Sequence, residues 1–165
     1  MKVLFTGGGS GGHILPIIAV ARELQRNYKG KDLELFYMGP EDKFGDLLLQ
    51  QESIKVYNVR AGKVRRYWKL KTIFQNLFDM FIKTPLGVLK AFRILFFTSP
   101  DLIFSKGGYG ALPTTIAARL LRIPVFLHES DIIPGRANRS AEKFALEIFT
   151  SFPHPKHFSP KKLLL

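Results

Sequence analysis

No cysteine occurs among the 165 residues. That excludes disulfides and thiolate-held metals and suits a reducing compartment. No long apolar run is present either. The richest stretch, LGVLKAFRILFF (86–97), is broken by Lys90 and Arg93, so no segment reaches the ~18 uncharged residues a membrane span needs. The opening MKVLF is too short an apolar run for a signal peptide, because glycines follow at once. Acid is scarce where base is dense. Between Ser53 and Pro100 there are ten Lys or Arg and one acid, Asp79, which puts nine of the twelve net positive charges in that segment. A field of one sign points to an anionic partner: nucleic acid, a phosphate-bearing ligand or an acidic lipid surface. With 46% apolar and 23% charged residues the composition is globular, and the length suits one domain with a full core.

The apolar pattern predicts strands at 2–6, 33–38, near 54–59, at 101–105, within IPVFLHES (123–130) and near 147–151. Helices are expected over 14–27, 42–51, 69–83, 85–97, 113–121 and 135–144. Pro16 is placed in a first helical turn, and Thr84-Pro85 reads as an N-cap followed by the first helical residue. Strands alternating with helices indicate an α/β chain, a Rossmann-like, doubly wound parallel sheet with expected strand order 3-2-1-4-5. Residues 1–152 form the expected domain. The proline-rich 153–165 reads as a linker whose final KKLLL resembles a strand cut short. His154 and His157 have metal-like spacing, but Pro153 and Pro155 argue against the helix that would align them.

Every unusual loop follows an expected strand. FTGGGSGGHILP (5–16) follows the first, KGGYGALP (106–113) the fourth and HESD (128–131) the fifth. In an open parallel sheet ligands bind beyond the carboxyl ends of the strands. Bare backbone N–H groups opening onto a helix suit phosphate; the alternative is that the glycines only make tight turns. Gly7, Gly9 and Gly12 satisfy G-x-G-x-x-G, so a dinucleotide site is a competing reading. Its expected acid would be Glu41, directly after Gly39-Pro40. A P-loop is excluded, since no Gly-Lys-Ser/Thr follows.

Together GGGSGGHILP, GGYGALP and HESDIIPGRAN resemble, in order, spacing and strand context, the N-terminal domain of the MurG family of bacterial glycosyltransferases. The resemblance covers essentially the whole chain. It departs at Ser130-Asp131, where the family usually has Gln-Asn, and at Ala111, where it usually has Ser. The resemblance implies the N-terminal half of a GT-B enzyme, the half that takes the lipid-linked acceptor. That acceptor is an undecaprenyl-diphosphate-linked muramyl peptide (lipid I), which the family converts to lipid II for peptidoglycan synthesis. A C-terminal domain outside this chain would bind UDP-N-acetylglucosamine. Gly8, Gly9, Ser10, Gly11, Gly12, Gly107, Gly108 and Tyr109 are then expected to cradle the acceptor diphosphate. His128, Asp131 and Asn138 are expected in the acceptor cleft.

An inverting transfer needs a general base. His13 is the candidate, because a helix start disfavours imidazolium; its alternative role is to cap the loop or bind a phosphate oxygen. Glu129 is the second candidate, and its alternative role is to hold the loop backbone. Nothing in the sequence asks for a metal or another cofactor.

Between the basic residues of 60–97 lie aromatic and aliphatic side chains in helical runs, which fits a cationic helix resting on an anionic bilayer. Arg65, Arg66, Trp68, Lys69, Ile73, Leu77 and Phe81 are expected to face that membrane, with Ile73, Leu77 and Phe81 shared with the core. Nucleic acid, the competing anionic partner, would want aromatics isolated on a sheet or in a groove, so none is expected. The implied location is peripheral, on the cytoplasmic face of the bacterial plasma membrane. Two alternatives remain at this level: a non-catalytic membrane-associated subunit of a split glycosyltransferase, and a nucleotide-binding Rossmann module.

Overall fold

The computed structural model describes residues 1–8, 11–63, 65, 70–152, 158–159 and 162–164. The expected site residues Gly9 and Ser10, the expected membrane-facing Arg66, Trp68 and Lys69, and also His154 and His157, lie outside the described residues.

Alternating burial builds a three-layer α/β/α arrangement. In β1 (Lys2–Gly7), Val3 and Phe5 face one side of the sheet and Leu4 the other. In β2 (Glu34–Gly39), Leu35 and Tyr37 face the first side and Phe36 and Met38 the second. Both strands are buried on both faces, as the central strands of a parallel sheet must be. On the first face, α1 (Gly11–Asn27) packs Ile14, Ile17, Ile18 and Ala21, and α2 (Lys43–Gln51) adds Leu49. On the second, α4 (Thr84–Thr98) inserts Ala91 and Leu95, α5 (Leu112–Leu121) inserts Ala117 and Ala118, and α6 (Arg136–Ala141) inserts Ala141. The remaining strands are β3 (Lys55–Asn58), β4 (Leu102–Gly107), β5 (Val125–Glu129), β6 (Glu147–Thr150) and β7 (Leu163–Leu164). All pair in parallel, in the order β3-β2-β1-β4-β5-β6-β7. The expected 3-2-1-4-5 order is therefore present, extended by two strands. β7 and the buried Phe158 come from the stretch read as a linker.

Three local expectations need correction. α1 begins at Gly11, so Pro16 sits in its second turn and removes the N–H that would bond back to Gly12. Thr84 is not an N-cap. α3 (Leu70–Phe78) runs through a π-helical turn, Asp79–Lys83, straight into α4, and Thr84 has helical dihedrals with its hydroxyl donating to the Asp79 carbonyl at 2.8 Å. A wide turn just before Pro85 accommodates the ring and the missing N–H without ending the helix. Arg65, expected at the membrane, is turned inward. Its guanidinium donates to Asp79 Oδ2 at 2.8 Å, and its backbone exchanges two 2.9 Å hydrogen bonds with the Asn76 amide.

Candidate functional site

β1 and β4 are neighbours, so the two glycine loops leave the sheet side by side. They touch. A Cβ placed on Gly108 would stand 3.1 Å from the Gly8 Cα and 3.2 Å from its nitrogen, nearer than side chains ordinarily pack. Gly108 also has φ 78° and ψ 168°, a region open to glycine and essentially closed to other residues. The His13 ring fills the corner between the loops, with Nε2 3.0 Å from a Cβ built on Gly8 and 3.1 Å from one built on Gly108. The adjacent Gly107, φ 81°, leaves room for the Asn138 amide. Much of this glycine content thus lets loop, loop and imidazole meet. Gly12 differs: it is exposed in the first turn of α1, and a Cβ there would meet nothing within 4 Å.

A cleft of ≈ 290 Å³ opens beyond the ends of β1, β4 and β5. Gly12 and His13 line it from α1, Lys106 and Gly108 from the end of β4, and Glu129, Ser130, Asp131, Gly135 and Asn138 from the third motif. Glu129, 5% exposed, is the organiser of that motif. Its Oε1 accepts the Asp131 N–H and its Oε2 accepts both the Gly135 N–H and the Asn138 side-chain amide, each at 3.0 Å. A buried carboxylate with three donors fixes a loop of otherwise irregular backbone. The Asn138 amide also reaches the His128 carbonyl at 3.4 Å.

Lys106 is the residue that sequence reasoning missed. It is 3% exposed, lines the cleft and donates to the Ser130 hydroxyl at 2.7 Å. The only signal was its place directly before the glycine pair. Its charge also reaches the histidines. Burial, then the nearby Lys106 ammonium, hold the His13 imidazole below its ordinary value, outweighing Asp131, Glu129 and the Lys106 backbone. Burial and Lys106 do the same to His128, against Glu129. Burial lowers Lys106 itself, against the pull of Glu129 and Asp131. His13 is thus biased toward the neutral form by burial and a cation, beyond the helix position that the sequence suggested. Its Nδ1 is buried without a hydrogen-bond partner.

Of the expected site residues, Gly8, Gly12, His13, Gly108, Glu129, Asp131 and Asn138 converge on the cleft or on the loop contact beside it. Gly11 opens α1. His128 lies alongside, its ring 6.0 Å from that of Phe104. Tyr109 is set off from the cleft, under the Lys63 ammonium at 5.7 Å from its ring centre. Ile73, Leu77 and Phe81 are exposed and belong to neither core cluster; Phe74, Phe78, Met80 and Ile82 are exposed beside them. No helix among the described residues is long and apolar enough to cross a membrane.

Comparison with known proteins identifies the family. The glycosyltransferase family 28 N-terminal domain matches residues 3–150. The chain is 38% identical, over 99% of its length, to a UDP-N-acetylglucosamine–N-acetylmuramyl-(pentapeptide) pyrophosphoryl-undecaprenol N-acetylglucosamine transferase of Bacillus cereus, covering 44% of that protein. It is 39% identical to the transferase of that name from Shouchella clausii, over 98% of this chain and 43% of the relative. The chain therefore spans less than half the length of these relatives. Among solved structures, Acinetobacter baumannii MurG superposes with a TM-score of 0.75 at 26% identity, over 99% of this chain and 43% of that one. A UDP-N-acetylglucosamine 2-epimerase superposes with a TM-score of 0.71 at 12% identity, over all of this chain and 47% of that one, which is a likeness of fold alone.

Proposed function

Since the chain belongs to the glycosyltransferase family 28 N-terminal domain family, we propose that it is the acceptor-binding half of an inverting N-acetylglucosaminyltransferase that converts lipid I to lipid II. The observation that carries this is the meeting of two glycine loops and a neutral-biased imidazole at one cleft beyond the strand ends. Backbone N–H groups at the start of α1 and in the second loop supply donors for the acceptor diphosphate. The acceptor sugar hydroxyl then attacks the anomeric carbon of UDP-N-acetylglucosamine held by a partner domain. The new C–O bond forms as the bond to UDP breaks, and His13 takes the hydroxyl proton. Both carboxylate oxygens of Glu129 already hold the loop, which favours His13 over Glu129 as the base and makes Glu129 a positioning residue.

The exposed apolar run from Ile73 to Ile82 belongs to the same reading. A substrate anchored in a bilayer is reached most directly by a protein resting on the cytoplasmic membrane surface, with these side chains in the interface. The guanidinium of Arg65 is paired with Asp79, so its charge is in part already answered within the protein.

The test is equilibrium binding of this chain to a short-chain lipid I analogue and, separately, to UDP-N-acetylglucosamine. Acceptor binding without donor binding is expected, and donor binding by this half would overturn the assignment. In an enzyme assembled with its donor-binding domain, His13→Ala is expected to cut turnover far more than acceptor affinity. An unchanged rate would remove His13 from the chemistry.

A further inference from the structure

Lys106 occupies an unusual position for a cation. The residue is 3% exposed, yet its ammonium donates to a neutral hydroxyl, Ser130 Oγ. Among the described residues, no carboxylate lies within the 4.0 Å of an ion pair with it. An ammonium has three protons to donate, and burying one without a counter-ion is costly. The carboxylate of Glu129 takes its hydrogen bonds from Asp131, Gly135 and Asn138 and makes no direct ion pair with Lys106, acting on it only at a distance. Asp131, the other acid nearby, is exposed on the cleft rim.

Its placement comes from the backbone. β1 and β4 pair in register as far as Thr6 with Ser105, but the next pair is Gly7 with Gly107. Lys106 is the extra residue, a bulge in an otherwise regular parallel ladder. Bulges re-aim side chains and gather beside active sites. The re-aimed side chain lies on the floor of the cleft, beside His13 and Gly108.

We propose that the Lys106 ammonium is the counter-charge for the acceptor's diphosphate, binding a phosphate oxygen from the cleft floor while the Ser130 hydroxyl holds it in place. This rests on the acceptor reading above and adds to it the group that neutralises the substrate's charge, which bare backbone donors cannot do. It also gives the departure at Ser130 a physical role, as the partner of a lysine.

The experiment is calorimetric titration of the 165-residue chain with inorganic pyrophosphate and with a short-chain lipid I analogue, for wild type, Lys106→Met and Ser130→Ala. Methionine keeps an unbranched stem one atom shorter than that of lysine and carries no charge, and a thermal scan checks that the variant folds, with a midpoint at or above wild type expected. Lys106→Met is expected to weaken both ligands at least ten-fold, as loss of a charge-assisted hydrogen bond implies. Ser130→Ala, which keeps the charge and loses its tether, is expected to weaken them by a smaller factor. Equal affinity of wild type and Lys106→Met for the analogue would overturn the role of Lys106 and leave the acceptor reading standing. Lys106-dependent pyrophosphate binding with no binding of the analogue would keep the anion site and overturn the acceptor reading. A wild-type chain that binds neither would overturn both.

Discussion

Alanine placed at Gly108 and at Gly12 separates what the glycines do for the fold from what they do for a ligand. At Gly108 the backbone sits at φ 78°, ψ 168°, and holding a non-glycine residue there costs about 1–3 kcal/mol. The new methyl would also press on Gly8 Cα at 3.1 Å and on His13 Nε2 at the same distance. Against this, alanine restricts the unfolded chain and returns about 0.4–1 kcal/mol. The strain net of that return is up to about 2.6 kcal/mol, to which the two close contacts add, and each kcal/mol lost lowers the melting temperature of a chain of this size by about 2–4 °C. Gly12 lies in the first turn of α1 with open space where its Cβ would go. Alanine there is expected to stabilise by up to about 1 kcal/mol, since glycine is the poorer helix former. Its methyl nevertheless enters the cleft, so affinity for the lipid I analogue is expected to fall. Thermal unfolding followed by circular dichroism, with analogue titration alongside, reads both quantities. Gly108→Ala should lose stability and binding together; Gly12→Ala should gain the first and lose the second. An unchanged melting temperature for Gly108→Ala would mean that the two loops do not meet as described. A Gly12→Ala variant that binds the analogue as well as wild type would refute the close backbone approach of the first loop to the ligand.

Stability should depend on pH through the two half-buried imidazoles. His13 and His128 are held below the ordinary 6.5 in the folded chain, so below that pH the unfolded state binds more protons than the folded one. The stabilisation from keeping them neutral is complete above 6.5 and is lost progressively as pH falls beneath it. The urea midpoint should therefore drop between about pH 7.5 and about pH 5.5, above the range of ordinary carboxylates, and drop less in Lys106→Met; a flat midpoint in the wild type would place both rings in solvent. At the exposed apolar run, Phe74→Ser with Phe78→Ser should leave the melting temperature within about 2 °C, because neither side chain belongs to a core cluster. The same pair should reduce partitioning onto anionic vesicles at least ten-fold, each ring contributing up to about 1.5–3 kcal/mol when buried; unchanged partitioning would return this face to ordinary solvated surface.

The sheet was legible because its strands are short, apolar and punctuated. Val3 to Phe5 and Leu35 to Met38 read as buried strands, and the glycine loops mark where two of them end. The site was legible where motif and topology coincide, as at His13, Gly108 and Glu129. What escaped were features that depend on partners distant in sequence. Arg65 reads as one more basic residue of a cationic stretch until Asp79, fourteen positions on, folds back to meet it. Thr84-Pro85 carries the signature of a helix start, yet a π-helical turn absorbs the proline and the helix continues. The role of Lys106 depends on a one-residue slip between two parallel strands, and periodicity within a single strand carries no trace of such a slip. β7 was legible as a strand in the final leucines, but not its pairing with β6 as part of this sheet, because the tail around it reads as a linker.

The bulge at Lys106 also bears on how such a cleft can change over evolutionary time. Because Gly7 pairs with Gly107 on the far side of the extra residue, deleting that single codon would join Ser105 directly to the glycine pair and bring the ladder into unbroken register. The loops would keep their strands, while the cleft would lose the one lysine that lines it among the described residues. Here a charge is carried as an inserted residue, one that can be gained or lost without redrawing the sheet around it.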